Sequence, residues 1–192
     1  MATYLTSGIV LKKDVYREID EQYTIFTPEH GKILAVVKSA KKITSKLHPH
    51  LELFVKVDLM LANGAQVDRV ASVQGDTHFR FISQEINKIL IANYFLEVVD
   101  KLTKYKFPDP EIFVILDGFL QLLNQKSAFR EDLIILNRFL FDLLSHLGYQ
   151  SEIKAKSQKQ LLLALNGQVM EVVERPINSF NLLLRFFNSE AL

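Results

Sequence analysis

Leu51-Glu52-Leu53-Phe54-Val55-Lys56-Val57-Asp58-Leu59-Met60-Leu61-Ala62-Asn63-Gly64 decides the fold. Leu51, Leu53, Val55, Val57, Leu59 and Leu61 alternate with Glu52, Phe54, Lys56, Asp58 and Met60. Period two places one set of side chains on each face of a strand. Asn63-Gly64 then gives a strong hairpin signal, because both residues tolerate the left-handed backbone of a tight turn. Residues 66–74 read as the partner strand. Upstream, residues 8–17, 22–27 and 32–39 read as three further strands, and Thr27-Pro28-Glu29-His30-Gly31 turns the second into the third. Residues 41–50 form a polar connector. Three meander strands, a connector and a hairpin suit a small closed barrel, since closure removes exposed edges. An OB-type barrel has this order, and an SH3-like barrel is the competing β reading.

Past residue 80 the spacing changes from two to three-to-four. Ile86, Ile89, Leu90, Leu96, Val99 and Leu102 read as one long helix beginning at Ser83 and stopped by Phe107-Pro108. Asp109 caps the next helix, with Pro110 at its first position and an end near Gln125. A third helix spans residues 130–147 and stops at Gly148. It is apolar nearly all round, with Glu131, Arg138, Asp142 and Ser145 as a narrow polar stripe, which suits the middle of a bundle. Two apolar runs around Asn166-Gly167 predict a small β-hairpin at 160–173, with a short helix as the alternative. A last helix covers 178–189. The fold class expected is α+β. It has an N-terminal five-stranded OB-type β-barrel (1–80) and a C-terminal α-helical bundle domain with a small β-hairpin (81–192).

Composition narrows the chemistry. Of the 192 residues, 48% are apolar, and the charges sum to +1. A core of some size can form, and any nucleic-acid affinity must come from local clustering. There is no cysteine, which removes disulfides, Cys-ligated zinc, iron–sulfur ligation and thiol catalysis. MATYLTSGIVLKKD lacks a long apolar stretch, and its lysines follow the short apolar run, so no signal peptide is read. No apolar run has membrane-span length without charges. The expectation is a soluble, cytoplasmic protein without a membrane partner.

The feature of most weight is a charge run. Between Glu29 and Glu52 there is no acidic residue, while Lys32, Lys38, Lys41, Lys42 and Lys46 fall there, with His30, His48 and His50. Cations gathered on one surface displace the counterions of phosphates. Lys12, Lys13, Arg17 and Arg69 extend the patch if the barrel brings them to the same side. Tyr16, Tyr23, Phe26 and Phe54 are the aromatics available for base stacking. The bland alternative is a solvated loop of ordinary lysines. Lys154, Lys156, Lys159 and Arg175 form a second basic candidate with the same alternative. His48-Pro49-His50 invites a metal, but no confident third or fourth ligand accompanies it, and no metal or other cofactor is expected. Glu18, Asp20 and Glu21 cluster at a turn, where acids are routine. There is no Gly-rich phosphate loop, no G-x-S-x-G and no H-E-x-x-H, so no enzyme is read. The tail Phe180-Asn181-Leu182-Leu183-Leu184-Arg185-Phe186-Phe187 reads as a packed helix, with a docking surface as the alternative.

An ordered set of motifs carries a resemblance. Val15-Tyr16-Arg17-Glu18, then Phe26-Thr27-Pro28-Glu29-His30-Gly31-Lys32, then Val36-Val37-Lys38-Ser39-Ala40-Lys41-Lys42 with Ser45 resembles the N-terminal barrel of the RecO family. Phe139, Leu143-Leu144 and Leu147-Gly148-Tyr149 resemble the segment that ends the family's central helices, so the likeness runs to about residue 153. It implies a DNA repair and recombination mediator that binds single- and double-stranded DNA and anneals complementary strands. It also implies action with RecR and single-stranded-DNA-binding protein to help load RecA, with no covalent step. There are departures. Ser39 stands where the family usually has glycine, and Ser151 where proline is usual. Many members carry a four-cysteine zinc module where this chain reads Glu152-Ile153-Lys154-Ala155-Lys156-Ser157-Gln158-Lys159. The Asn166-Gly167 hairpin is read as what remains of that module, and the chain is short for the family. Phosphates are expected on Lys12, Lys13, Lys38, Lys41, Lys42 and Lys46, assisted by Arg17 and Lys32. Two other functions fit the same residues: a protein–protein adaptor with little DNA binding of its own, and an OB-fold RNA-binding protein.

Overall fold

The computed structural model describes residues 2–41, 47, 50–65, 67–149, 153–173 and 175–190. They form two compact units, Met1–His78 with Thr103–Phe113, and Phe79–Leu102 with Val114–Leu192. In the first, β1 (Thr3–Val15), β2 (Glu21–Thr27), β3 (Gly31–Val37), β4 (Val55–Ala62) and β5 (Asp68–His78) close into a barrel in the order β1-β2-β3-β5-β4. Every pairing is antiparallel except β3 with β5, which is parallel and has only Ala35↔Asp68 and Val36↔Arg69 in register. This is the five-stranded OB arrangement.

The alternation in residues 51–61 sets the barrel interior. Leu51, Val55, Val57, Leu59 and Leu61 are buried with Val10, Tyr23, Ile25, Ile33, Ala35, Val37 and Val70. Each such side chain contributes about 1.5–3 kcal/mol on burial. The strand is shorter than its pattern. Phe54 adopts φ 61, a left-handed backbone that cannot join a ladder, so β4 begins at Val55. The β4–β5 connection spans residues 63–67. Gly64 is required there, because a Cβ would stand 1.8 Å from the Val67 carbonyl oxygen. Most of the 41–50 connector lies outside the described residues.

Residues 103–113 lie against the barrel. The Lys106 N–H donates to the Lys32 carbonyl at 2.9 Å, and Tyr105 bridges Lys32 in parallel. Gly31 has φ +66, and a Cβ on it would meet the Phe107 carbonyl oxygen at 2.1 Å. The turn glycine thus serves both the β2–β3 turn and the passage of this strap.

The second unit holds α1 (Arg80–Gln84), α2 (Ile86–Leu102), α3 (Pro110–Leu123), α4 (Phe129–His146), α5 (Gln158–Val173) and α6 (Asn178–Glu190), α3 starting in the strap. The single helix expected from Ser83 is broken at Glu85, whose backbone is extended. Asp109 caps α3 through the Ile112 N–H at 3.2 Å. α4 ends in a Schellman turn, with Gly148 at φ 85 and Tyr149 N–H donating to the Leu144 carbonyl. Contrary to what its nearly all-round apolar pattern suggested, α4 is not enclosed on all sides: Arg130, Ile134, Arg138 and Phe141 lie exposed along one side.

The hairpin at 160–173 is not formed; α5 occupies that stretch. Leu162, Leu165 and Val169 are buried at helical spacing, and Asn166 turns inward so that its Oδ1 accepts the Tyr94 hydroxyl at 3.0 Å. Packing on one helical face overrides the Asn-Gly turn preference. α6 buries Phe180, Leu183 and Phe187. Glu97 of α2 caps it, accepting the Asn178 and Ser179 N–H groups at 3.1 and 2.9 Å.

α2 and α4 share a fully buried ion pair, Lys88 with Asp132 at 2.7 Å, both side chains 0% exposed. Ser127 Oγ lies 2.6 Å from the ammonium, and Asn87 donates to the second Asp132 oxygen at 2.9 Å. Breaking a buried pair strands a charge, whereas replacing both partners does not. Lys88→Ala is expected to cost roughly 3–5 kcal/mol in denaturant unfolding, and Lys88→Met with Asp132→Leu to recover most of it. Equal losses in single and double variants would show that the pair is not what matters.

Candidate nucleic-acid interface

The barrel brings three segments together at one end. The β1–β2 loop, residues 16–20, folds back on itself through Tyr16 N–H and Arg17 N–H donating to the Asp20 carbonyl. It is tied to the end of β3, where Asp20 Oδ1 accepts the Ser39 N–H at 2.8 Å and the Lys41 N–H donates to the Ile19 carbonyl at 3.1 Å. Ser39 has φ 55. Ser39 thus takes a left-handed backbone, at a cost on the order of 1 kcal/mol, with the Asp20 carboxylate accepting its N–H. The β4–β5 loop is fixed by Asp68, whose Oδ1 accepts the Gly64 N–H at 3.1 Å and whose Oδ2 accepts the Tyr4 hydroxyl at 2.7 Å.

Between these loops lies a groove of about 280 Å³. Tyr16, Arg17, Lys38 and Arg69 supply its aromatic and cationic lining, with Asp20 and Asp68 also present. The end of β1 and the loop after it expose apolar surface, Val15 at 71% and Tyr16 at 42%. Arg17 stacks on Tyr16 at 5.3 Å.

The eight cations singled out in the sequence separate into groups. Arg17 and Lys38 line the groove, and Lys41 is exposed beside it, tied to the β1–β2 loop through its N–H. Lys12 is exposed on β1 and pairs with Asp14 at 2.7 Å. Lys13 is held by the barrel, 3.5 Å from Glu21 and 3.1 Å from Glu52, and lies against the Tyr23 ring. Lys32 is buried with its ammonium 4.5 Å from the Tyr105 ring centre. Lys42 and Lys46 lie outside the described residues, as does His48. Arg69 joins the groove through the β3–β5 pairing, which puts it opposite Val36.

Of the four aromatics proposed for stacking, Tyr16 alone is exposed. Tyr23, Phe26 and Phe54 are buried. β2 carries buried residues on both of its faces, Thr24 and Phe26 as well as Tyr23 and Ile25, so its rings serve as core. Sequence reasoning missed Lys104, Tyr105, Lys106 and Phe107, whose alternation of lysine and aromatic was the signal to find. Among the described residues no group of three or more His, Asp or Glu side chains stands ready to hold a metal ion. The stretch after Tyr149 offers no cysteine, so the residues present do not fit the zinc of the resembled module.

The family description Recombination protein O N terminal matches residues 1–77, and Recombination protein O C terminal matches residues 83–158. The chain belongs to the RecO family. A protein of Gloeothece citriformis named DNA repair protein RecO is 30% identical over 151 residues, covering 79% of this chain and 53% of that protein. One of the same name in Geobacter metallireducens is 32% identical over 153 residues, covering 78% and 60%. A third, in Dehalococcoides mccartyi, is 28% identical over 165 residues, covering 85% and 64%. The chain thus spans about half the length of the first RecO relatives it matches. No helix among its described residues is long and apolar enough to cross a membrane.

The hydroxyls that hold this RecO barrel are titratable. Burial, reinforced by the Asp68 carboxylate, pushes the Tyr4 phenol well above its ordinary 10.0. Burial and the Glu21 acceptor, 2.5 Å away, do the same for Tyr23, and burial with the nearby Glu97 charge does so for Tyr94 in the helical unit. With folded pKa values raised, the unfolded chain deprotonates first. Their contribution to stability is therefore complete below pH 10.0 and is lost as pH rises from there toward the folded values. Denaturant midpoints are expected to fall on the alkaline side of that point. In ultraviolet titration of the native protein, three of the six tyrosines are expected to resist ionisation there. If all six phenolates appeared near pH 10.0 in the folded protein, the Tyr4–Asp68 and Tyr23–Glu21 bonds would not hold as described.

Proposed function

We propose that this barrel binds DNA through the groove between its β1–β2 and β4–β5 loops, and that the protein acts in DNA repair and recombination as a mediator rather than an enzyme. The observation that carries the proposal is the convergence of Tyr16, Arg17, Lys38 and Arg69 on the groove. OB barrels bind oligonucleotides with the face of strands 2–3 and the loops that join strands 1–2 and 4–5, and the groove lies between those two loops here. Guanidinium and ammonium groups neutralise phosphates, and an exposed tyrosine offers a stacking face for any base. Lys12 and Lys41 extend the cationic surface, and Lys42 and Lys46 are added to it from the sequence. Such a surface takes single and double strands, and drawing two complementary strands onto it lowers their repulsion and promotes annealing. The relatives' name supports the repair role. RecR, single-stranded-DNA-binding protein and, indirectly, RecA are the partners this role implies, in the cytoplasm.

A second reading, a protein–protein adaptor, is favoured by one observation. Ile134 and Phe141 stand exposed two turns apart on α4. It requires partner binding with little salt dependence and feeble DNA binding.

Fluorescence anisotropy with a labelled single-stranded oligomer across a salt series separates the two. The triple variant Arg17→Ala, Lys38→Ala, Arg69→Ala is expected to lose at least about tenfold in affinity at low salt. Its log–log salt slope is expected to become shallower by about 2, since each phosphate contact on a single strand contributes roughly 0.7. An unchanged slope would remove the groove from the DNA-binding surface. Absence of binding by the parent protein would favour the adaptor.

A further inference from the structure

The strap that crosses the β2–β3 turn is tied to the barrel at Lys32 and has the composition of a nucleic-acid contact. Lys104-Tyr105-Lys106-Phe107 alternates cation and aromatic. Tyr105 is 51% and Phe107 67% exposed, and both lysines are exposed. Two rings this exposed, two residues apart and flanked by lysines, offer stacking faces beside cations. The strap is also rigidly placed. Lys106 has φ 58, an uncommon backbone for a long side chain, and its N–H bonds to the Lys32 carbonyl. The Phe107 carbonyl occupies the space a Cβ on Gly31 would need. One face of Tyr105 carries the Lys32 ammonium at 4.5 Å, which fixes the ring.

The strap is connected to the groove. A second cleft, of about 610 Å³, shares Asn63, Gly64 and Asp68 with the groove and runs from there to Lys106 and Pro108. Tyr4 and His30 stand edge to face in its wall, ring centres 4.5 Å apart. Its other lining includes the carboxylates Glu29 and Asp68. Carboxylates repel phosphate and accept hydrogen bonds from base amino groups, so this stretch favours bases turned inward with the backbone outside.

We infer that a single strand bound in the groove continues around the β4–β5 loop and ends on the strap, where Phe107 and Tyr105 stack on bases and Lys104 and Lys106 meet phosphates. This rests on the groove reading above and extends its binding site. The ligand class is single-stranded nucleic acid; a duplex keeps its bases stacked and cannot offer their faces.

The chain contains no tryptophan, so Phe107→Trp creates a lone stacking reporter. Oligodeoxycytidines of increasing length, whose bases carry the amino group that a carboxylate accepts, are titrated onto this variant, with anisotropy of the same oligomers read in parallel. OB barrels cover roughly 4–16 nucleotides. Oligomers at the short end are expected to bind without quenching the tryptophan, and those at the long end to quench it. Phe107→Ala is expected to weaken the long oligomers about tenfold and the short ones not at all, a split that a merely structural role of Phe107 would not produce. Binding at every length with an unchanged tryptophan signal overturns the strap and leaves the groove reading intact, as does quenching only when a purified protein partner is added. No anisotropy change with any oligomer overturns both.

Discussion

Closure of the barrel depends on a short parallel seam. β3 and β5 meet at two register pairs, and every other strand pairing is a longer antiparallel ladder. Without that seam the first three strands and the last two would be a sheet with two exposed edges. With it, Arg69 stands opposite Val36, the β4–β5 loop reaches the β1–β2 loop, and the end of β3 fills the space between them. Asp68 concentrates the closure in one residue. Its backbone pairs with Ala35, while its carboxylate accepts from Gly64 and from Tyr4. The groove is a consequence of how the barrel shuts.

Charge has two uses in this chain. Lys13, Lys32 and Lys88 are spent inside the architecture, against Glu21 and Glu52, against Tyr105, and against Asp132. Their partners compensate the loss of water around the ammonium. Arg17, Lys38 and Lys41 remain at the surface around the groove. The charged side chains lining the groove sum to +1, as the whole chain does, Arg17, Lys38 and Arg69 against Asp20 and Asp68. Both carboxylates accept backbone N–H groups that shape the loops.

The helical unit is held by side chains reaching across helices. Glu97 caps α6 from α2, Asn166 of α5 accepts the Tyr94 hydroxyl, and Lys88 meets Asp132. Each joins residues far apart in sequence, and each satisfies a buried polar group that would otherwise cost free energy. The Asn166 case shows why a local turn signal failed. Asn-Gly favours a turn when nothing else competes, but here the asparagine has a partner and the leucines on either side need a helical face to bury.

By itself the sequence determined the strand and helix periods, the five-strand count, the cap at Asp109, the stop at Gly148 and the family, because these are local patterns of spacing and turn chemistry. It also shows that these 192 residues hold no cysteine. Which lysines face water, which rings are core, and which residues share the groove were decided by the tertiary structure. A lysine's spacing does not say whether a carboxylate or a tyrosine forty or seventy residues away will cover it, as Glu52 covers Lys13 and Tyr105 covers Lys32. The strap escaped notice for the same reason. Lys104 to Phe107 read as the end of a helix, and only the left-handed turn at Lys106 and the open space above Gly31 lay them across the barrel.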